Sequence, residues 1–280
     1  MSYEAELVQK AATAIQDSAA ILVTAGAGMG VDSGLPDFRG QEGFWRAYPA
    51  IAQMGISFEQ MANPDWFDRD PRLAWAFYGH RLNLYRQTIP HVGFQHLLEI
   101  GRSKPYGYRV LTSNVDGQFH KAGFEDLKVS ECHGSIHHLQ CTQDCRAGIW
   151  SADSLHVEVE EDSFQAVGDL PRCHRCGALA RPNILMFGDW GWSSDRTSGQ
   201  ESRLRSWLGR LQDEQARLVI VEIGAGQSVP TIRMSSERYA DLHSAVLVRI
   251  NPRDHHVPNQ KHVSLAADGL DGIRAIYDQL

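Results

Sequence analysis

Apolar residues recur at three- and four-residue spacing along residues 4–18, which predicts an amphipathic helix. A short apolar run at 21–24 follows and predicts a buried strand, and similar runs occur at 108–112, 218–223 and 245–250. Strands that are apolar almost throughout are typical of a parallel sheet covered by helices on both faces. We therefore predict an α/β fold built on a doubly wound parallel sheet.

Two segments interrupt this pattern. Residues 41–87 are rich in aromatic side chains, with helical spacing over 73–78, and predict a helical insertion. Residues 141–181 hold four cysteines around a polar, acidic centre and contain little that could form an apolar core. We expect a bound metal to hold this second segment together.

Four of the five cysteines form two close pairs, a spacing typical of a zinc site. Three residues separate Cys141 from Cys145, and two separate Cys173 from Cys176. Four thiolates satisfy a tetrahedral zinc ion and leave no coordination position open for water, so we predict one structural zinc per chain. Ordinary thiols or a redox pair are the alternatives.

Composition and charge argue against several classes of function. The 280 residues carry 27 Lys and Arg against 34 Asp and Glu, a net charge of −7, without the basic runs of a nucleic-acid-binding protein. No apolar stretch approaches the roughly 20 residues that span a bilayer, and the N-terminus lacks the pattern of a signal peptide. We expect a cytoplasmic protein without nucleic-acid or membrane partners.

A glycine-rich turn follows the first predicted strand, with four glycines in residues 26–34. Such a turn lets backbone N–H groups approach a phosphate, although a tight turn without a ligand also uses glycine. Asp37, Phe38 and Arg39 come next and set an acid, an aromatic ring and a base side by side. A loop of this composition could close over a cofactor.

Together with the rest of the chain, these motifs resemble the sirtuin family of NAD-dependent protein deacylases, and they occur in the family's order. Residues 26–39 resemble its cofactor-binding loop, and residues 112–117, Thr-Ser-Asn-Val-Asp-Gly, resemble its Thr-Gln-Asn-Ile-Asp-Gly segment. His133, with Gly134 and Ser135, matches the catalytic histidine motif at its distance from the first zinc ligand. Residues 181–189 resemble the Arg-Pro to Phe-Gly-Glu stretch, and residues 224–226 and 250–251 resemble the late Gly-Thr-Ser and Ile-Asn motifs.

The resemblance implies NAD as co-substrate and a division of the chain into three parts. Residues 1–40, 92–138 and 183–280 would form a Rossmann-like NAD-binding domain, beside a smaller lobe made of a helical insertion at 41–91 and a zinc-binding module at 139–182. The implied cofactor-binding residues are Ala25, Gly26, Ala27, Gly28, Asp37, Phe38, Arg39, Ser113, Asn114, Val115, Asp116, Gly224, Ala225, Gly226, Asn251 and Gly269.

The resemblance also implies removal of an acyl group from lysine of an acylated protein or peptide, with release of nicotinamide and O-acyl-ADP-ribose. Asn114 and Asp116 would line the nicotinamide pocket. His133 would act as general base toward a ribose hydroxyl, a task suited to an imidazole near neutral pKa. The implied substrate-binding residues further along the chain are Phe187, Gly188 and Asp189.

Tyr78 and Arg81 carry information about the acyl group. They lie three residues apart, hence on one helix face, and resemble the Tyr-x-x-Arg pair with which one sirtuin class binds succinyl, malonyl or glutaryl groups. The alternative is an aromatic helix face packed in the interior with a snorkelling arginine. We lean toward an acidic acyl group, with acetyl as the other substrate.

Several positions depart from the family pattern around the cofactor. Asp32 adds a carboxylate beside the phosphate turn, and we expect it to turn away or to pair with a cation such as Arg233. These departures keep two alternatives open, a mono-ADP-ribosyltransferase or NAD hydrolase on the same scaffold, and a non-catalytic NAD-sensing module. The other departures are Gly30, Ser113, Ala225 and Gly226.

Overall fold

A six-stranded parallel sheet organises the larger part of the computed structural model, which describes residues 3–36, 40–143, 145–160 and 162–280. In chain order the strands are β1 (Ala20–Ala25), β2 (Tyr108–Thr112), β3 (Val129–Glu131), β4 (Gly134–Cys141), β5 (Ile149–Ser151), β6 (Glu158–Glu160), β7 (Gln165–Val167), β8 (Ala180–Ile184), β9 (Leu218–Ile223), β10 (Val246–Ile250) and β11 (Val263–Leu265). The large sheet has the order β11-β10-β9-β1-β2-β3, and every neighbouring pair is parallel. The predicted doubly wound parallel sheet is confirmed.

The helices cover both faces of this sheet and build a second, smaller lobe. They are α1 (Tyr3–Gln16), α2 (Gly40–Ala47), α3 (Pro49–Gln53), α4 (Phe58–Met61), α5 (Trp66–Arg69), α6 (Pro71–Gln87), α7 (Val92–Ser103), α8 (Gln118–Lys121), α9 (Asp195–Asp213), α10 (Thr231–Leu242) and α11 (Gly269–Tyr277). Two 3-10 helices, Ala27–Ser33 and Asp126–Lys128, complete the chain order.

Alternation along β1 explains why both faces need helices. Ile21 and Val23 are fully buried on one face, with the apolar side chains of α1, α7 and α11. Ala20 and Leu22 are fully buried on the other face, with those of α9 and α10. Because successive side chains of a strand point to opposite faces, a run that is apolar at every position needs cover on both.

A second apolar core lies in the smaller lobe and is centred on α6. The indole of Trp75 is fully buried there, and its Nε1–H donates to the carbonyl oxygen of Ala180 in β8 at 3.0 Å. Gly79 lets the β6–β7 hairpin approach, since a Cβ at Gly79 would lie 2.4 Å from Cγ1 of Val157. Val157 and Phe164 belong to this core, so the expectation that residues 141–181 contribute little apolar packing is wrong.

A three-stranded antiparallel sheet, β5-β4-β8, connects the two lobes. The predicted domain boundaries at 138/139 and 182/183 fall inside β4 and β8. The division of the chain into three parts stays a prediction. Across the described ranges, no helix is both long enough and apolar enough to cross a membrane.

Candidate active site

A cleft of about 630 Å³ runs between the carboxyl ends of the large sheet and the smaller lobe. β1 pairs with β2 on one side and with β9 on the other, so the cleft lies where successive connections turn to opposite sides of β1. Ligands of open α/β sheets bind at this switch point. Its lining includes Gly26, Ala27, Tyr78, Arg81, Tyr85, Ser113, Asn114, Val115, Asp116, His133, Phe187, Ala225, Gly226, Gln227, Ser228, Arg253 and Asp254.

The floor of the cleft is formed by two glycine turns that follow β1 and β9. The N–H of Gly28 donates to the carbonyl oxygen of Gly224 at 3.1 Å, and a Cβ at Gly224 would lie 2.5 Å from the Gly28 Cα. Gly224 also has a φ of +62°. Glycine is required where the two turns touch, because any side chain would push them apart.

Backbone donors without an acceptor occur beside these turns. The N–H groups of Gly226, Gln227 and Ser228 have no acceptor among the described residues, and all three residues line the cleft shortly before α10. Consecutive unpaired N–H groups near the start of a helix form an anion site. This part of the cleft is suited to the phosphates of a dinucleotide.

Asn114 and Asp116 follow β2 and close the inner end of the cleft. The Asn114 Nδ2 donates to the carbonyl oxygen of Gly26 at 2.9 Å, which ties this segment to the first glycine turn. Burial raises the pKa of Asp116 to about 6, although the N–H of Gln118 donates to its Oδ1 at 2.9 Å. Near neutral pH this carboxyl group can therefore accept or donate a hydrogen bond.

His133 enters the cleft between β3 and β4. The next residue, Gly134, has a φ of +79°, and a Cβ there would lie 2.0 Å from the carbonyl oxygen of Asn183 in β8. Only glycine allows this crossing, and the crossing fixes the backbone of His133. Burial lowers the pKa of His133, so its imidazole is neutral at physiological pH and can accept a proton.

Tyr78 and Arg81 lie in α6, and both line the cleft. Arg81 is 6% exposed, and its Nε and Nη2 donate to the hydroxyl of Tyr85 at 3.0 and 2.8 Å. The buried Tyr78 hydroxyl has no hydrogen-bond partner in the described part of the chain. Burial raises the pKa of Tyr78, so its phenol keeps its proton and remains a donor.

The four paired cysteines lie together at one end of the smaller lobe, with their sulfur atoms within 4.8 Å of one another. The Sγ atoms of Cys141 and Cys176 are 3.6 Å apart, and those of Cys145 and Cys173 are 3.5 Å apart. Tetrahedral zinc with Zn–S bonds of about 2.3 Å implies S–S separations of about 3.8 Å. The cluster therefore fits a zinc ion with four thiolate ligands.

Some predicted site residues lie away from the lining. Asn251 is buried and holds a loop, since its Nδ2 donates to the carbonyl oxygen of Ala225 and its Oδ1 accepts from the N–H groups of Arg253 and Asp254. Asp189 is buried against Arg181. Ala25, Gly28, Gly188, Gly224 and Gly269 are likewise outside the lining, and Asp37, Phe38 and Arg39 lie outside the described residues.

Asp32 turns away from the cleft. Its Oδ2 accepts the N–H of Leu270 at 2.7 Å in the first turn of α11. The helix dipole stabilises a carboxylate at this end of a helix. Arg233 instead donates to the carbonyl oxygens of Asp254 and His256 at 2.6 and 2.9 Å. The suggestion that Arg233 pairs with Asp32 is therefore wrong.

Sequence reasoning missed several residues of the lining. Tyr85 lies seven residues after Tyr78, on the same face of α6, and this spacing was available in the sequence. Gln227, Ser228 and Arg253 are polar residues that follow strand ends, where ligands of parallel sheets bind. A polar residue shortly after a predicted strand was the sequence signal that could have identified Gln227, Ser228 and Arg253 as lining residues.

The parallel sheet, its cleft and the four-cysteine module define a nucleotide-binding α/β protein with a metal-binding lobe. A model of the Sir2 family matches residues 26–199. This chain belongs to the Sir2 family, as its motifs predict.

Two curated relatives called NAD-dependent protein deacylase illustrate the likeness. The Leptospira interrogans protein is 30% identical over 233 residues, which cover 83% of this chain and 81% of that one. The Pyrococcus furiosus protein is 35% identical over 177 residues, 62% of each chain, so the match spans less than two thirds of that relative.

Solved structures show the same fold. A Sir2 homologue in complex with NAD has a TM-score of 0.69 to this chain at 23% identity, with 96% of this chain and 92% of the other covered. A Sir2 homologue mutant in complex with ADP-ribose also gives 0.69, at 24% identity, covering 96% of this chain and 95% of the other.

Proposed function

We propose that this chain is an NAD-dependent protein-lysine deacylase, which removes acetyl, succinyl, malonyl or glutaryl groups and releases nicotinamide and O-acyl-ADP-ribose. One observation carries the proposal: a neutral His133 opens into the same cleft as Asn114 and Asp116, at the switch point of a parallel sheet. The names of the curated relatives support it.

The residues of the cleft fit NAD. The unpaired N–H groups of residues 226–228 would bind its phosphates, and Asn114 and Asp116 would hold the nicotinamide end. When bound, NAD supplies the electrophilic ribose carbon that receives the acyl oxygen. Asp116, with its raised pKa, can present either a donor or an acceptor to a carboxamide.

His133 acts as the general base. Its lowered pKa keeps the imidazole unprotonated at neutral pH, so it can remove a proton from a hydroxyl bound in the cleft. Loss of a general base typically lowers the rate about 10²- to 10⁴-fold. Because the pKa is lowered, the acid limb of the pH–rate profile should lie below the usual value of 6.5.

Zinc has a structural role in this proposal. Cys141, Cys145, Cys173 and Cys176 would supply four thiolate ligands, which leaves no open position for a substrate or water. The ion would stabilise the end of the smaller lobe that joins β4 to β8.

The substrate is an acylated protein or peptide, and we place an acidic acyl group first. The Tyr78 phenol and the Arg81 guanidinium face one cleft and could together bind a carboxylate. A solved Sir2 complex with a deacetylated p53 peptide, 20% identical to this chain with a TM-score of 0.64, covers 97% of it and 98% of the other chain. A cytoplasmic location stays a prediction.

Mass-spectrometric turnover of matched acetyl-lysine and succinyl-lysine peptides with NAD, beside a sample without peptide, tests the function. We expect peptide-dependent release of nicotinamide and formation of O-acyl-ADP-ribose. His133→Ala should lower turnover about 10²- to 10⁴-fold while NAD binding remains, and His156→Ala, at an exposed histidine, is the matched control.

Two outcomes would count against the proposal. Equal NAD consumption with and without peptide would favour the hydrolase or ADP-ribosyltransferase alternative. Tyr78→Phe tests the acyl preference, because it removes only the unpaired hydroxyl: it should slow succinyl removal more than acetyl removal, and an equal effect would refute the role of Tyr78.

A further inference from the structure

Strand β4 of the smaller sheet contacts the segment that follows β2. The N–H of Ile136 donates to the carbonyl oxygen of Val115 at 3.0 Å. The Nε2 of the next residue, His137, lies 2.9 Å from the carbonyl oxygen of Asp116. Because β4 begins directly after His133, a single strand connects the backbone around Asp116 with the histidine of the cleft.

The Nε2 of His137 is the donor of this hydrogen bond, since a carbonyl oxygen can only accept. Burial lowers the pKa of His137, although the contact with the Asp116 carbonyl favours the charged ring, so the ring is neutral at physiological pH. Among the described residues, no second donor reaches the carbonyl oxygen of Asp116. An apolar side chain at position 137 would therefore leave this carbonyl group without its partner.

A local irregularity of β4 directs the side chain of His137 toward Asp116. The register of β4 against β8 shifts between Ser135 and Leu139, and His137 lies within this interval. Such irregularities re-aim side chains that would otherwise follow the alternation of the strand. The backbone of His137 is still held, because its carbonyl oxygen accepts the N–H of Ala152 at 2.9 Å and its N–H donates to the Oγ of Ser135 at 3.3 Å.

The imidazole of His137 also packs directly on the backbone of Gly117. Gly117 has a φ of +71°, and a Cβ there would lie 2.7 Å from the Cδ2 of His137. A side chain at position 117 would displace the ring. The ring of His137 thus holds the chain on the carboxyl side of Asp116 by packing as well as by its hydrogen bond.

The carboxyl group of Asp116 is oriented by the next turn of the chain. Its Oδ1 accepts the N–H of Gln118, and the Nε2 of Gln118 donates to the carbonyl oxygen of Tyr85 in α6 at 3.3 Å. Asp116 lines the cleft, whereas His137 is not one of the lining residues. Any effect of His137 on a ligand must therefore pass through Asp116.

We propose that His137 is a positioning residue for the nicotinamide end of the cleft. It holds the main chain of Asp116 against β4 and so sets the place of the Asp116 carboxyl group relative to His133. The inference rests on the proposed function, in which Asp116 holds the carboxamide of NAD. It deepens that function by assigning a role to a residue outside the lining and outside the quoted motifs.

Calorimetric binding of ADP-ribose and of a carbocyclic NAD analogue, which cannot be cleaved, tests the proposal without turnover. Only the analogue carries a nicotinamide group. We expect His137→Leu to weaken the analogue about 3- to 10-fold, the range of one net hydrogen bond, and to change ADP-ribose less than about twofold. His137→Gln should restore the affinity for the analogue, because the amide nitrogen of glutamine can donate in place of Nε2.

Two further variants separate positioning from a general loss of stability. His137→Phe keeps a ring on Gly117 but lacks the donor, so it should behave like His137→Leu. His262→Leu is the matched control, because the buried His262 accepts the N–H of Leu247 through its Nδ1 at 3.1 Å at the opposite end of the sheet. This control should lower the unfolding temperature and leave the ratio of the two affinities unchanged.

The other outcomes separate failure of the inference from failure of the proposed function. Equal weakening of both ligands by His137→Leu and His137→Phe, or no weakening of the analogue, would refute the role of His137 and leave the deacylase function standing. Failure of His137→Gln to restore the affinity would refute the role of the hydrogen bond. Binding of neither ligand by the wild-type chain would refute the dinucleotide site, and the deacylase function with it.

Discussion

Removal of the Asp189 carboxylate should destabilise the protein strongly, because it leaves a buried guanidinium unpaired. The Arg181 Nη1 and Nη2 donate to Asp189 at 2.7 and 2.8 Å, and the two side chains are 4% and 0% exposed. The N–H groups of Met186 and Gly191 also donate to this carboxylate. The pair therefore holds the turn that follows β8, next to Phe187 in the cleft lining.

The expected loss for Asp189→Ala is about 3–5 kcal/mol, the usual result of removing one partner from a buried ion pair. At roughly 2–4 °C per kcal/mol, this lowers the unfolding temperature by on the order of 10 °C. Urea denaturation in the presence of zinc, monitored by circular dichroism, gives the free energy of unfolding. Asp153→Ala, at an exposed carboxylate, is the matched control and should cost less than about 0.5 kcal/mol.

A double variant separates the ion pair from the packing around it. Replacing both Arg181 and Asp189 with Leu removes the two charges together, so it should cost less than Asp189→Ala alone. A loss of stability below about 1 kcal/mol for Asp189→Ala would refute the reasoning. A loss in the double variant that equals the sum of the losses of the two single variants would refute it as well.

Three further predictions concern the metal, the pH dependence and the rim of the cleft. Chelation of zinc should lower the unfolding temperature in proportion to the metal lost, and native mass spectrometry without one zinc per chain would contradict the site. The free energy of unfolding should fall as pH drops below 6.5, because burial lowers the pKa of His91. The neutral ring of His91 accepts the Gly93 N–H and donates to the Met29 carbonyl oxygen. His91→Gln should make the free energy of unfolding depend less steeply on pH, and an unchanged dependence would contradict the prediction. Trp190 is 99% exposed and lies three residues after Phe187. Trp190→Ala should change the free energy of unfolding by less than about 0.5 kcal/mol but raise KM for acyl peptides. An unchanged KM would exclude a substrate contact.

The central sheet was predictable from sequence because its strands are buried on both faces. The runs at 108–112 and 218–223 agree with β2 and β9 residue for residue, and β1 extends the run at 21–24 by one residue at each end. β3 and β11 were missed, since three residues are too few to show a period.

The smaller sheet was missed for a different reason. The register of β4 against β8 shifts between Ser135 and Leu139, which interrupts the alternation that would mark β4 as a strand. The apolar residues Val157 and Phe164 stand singly in polar surroundings, and only the face of α6 that they cover makes them core residues. Tertiary partners of this kind leave no local pattern.

Motif residues of the site divide into those that face the cleft and those that shape it. His133 and Asp116 line the cleft, whereas Asn251 uses both atoms of its amide on the backbone around Ala225 and Arg253. A motif marks a position that the site requires, but it does not distinguish contact from support. Arg253 lies outside every quoted motif and nevertheless lines the cleft. Its backbone is held there by a motif residue, because its N–H donates to the Oδ1 of Asn251.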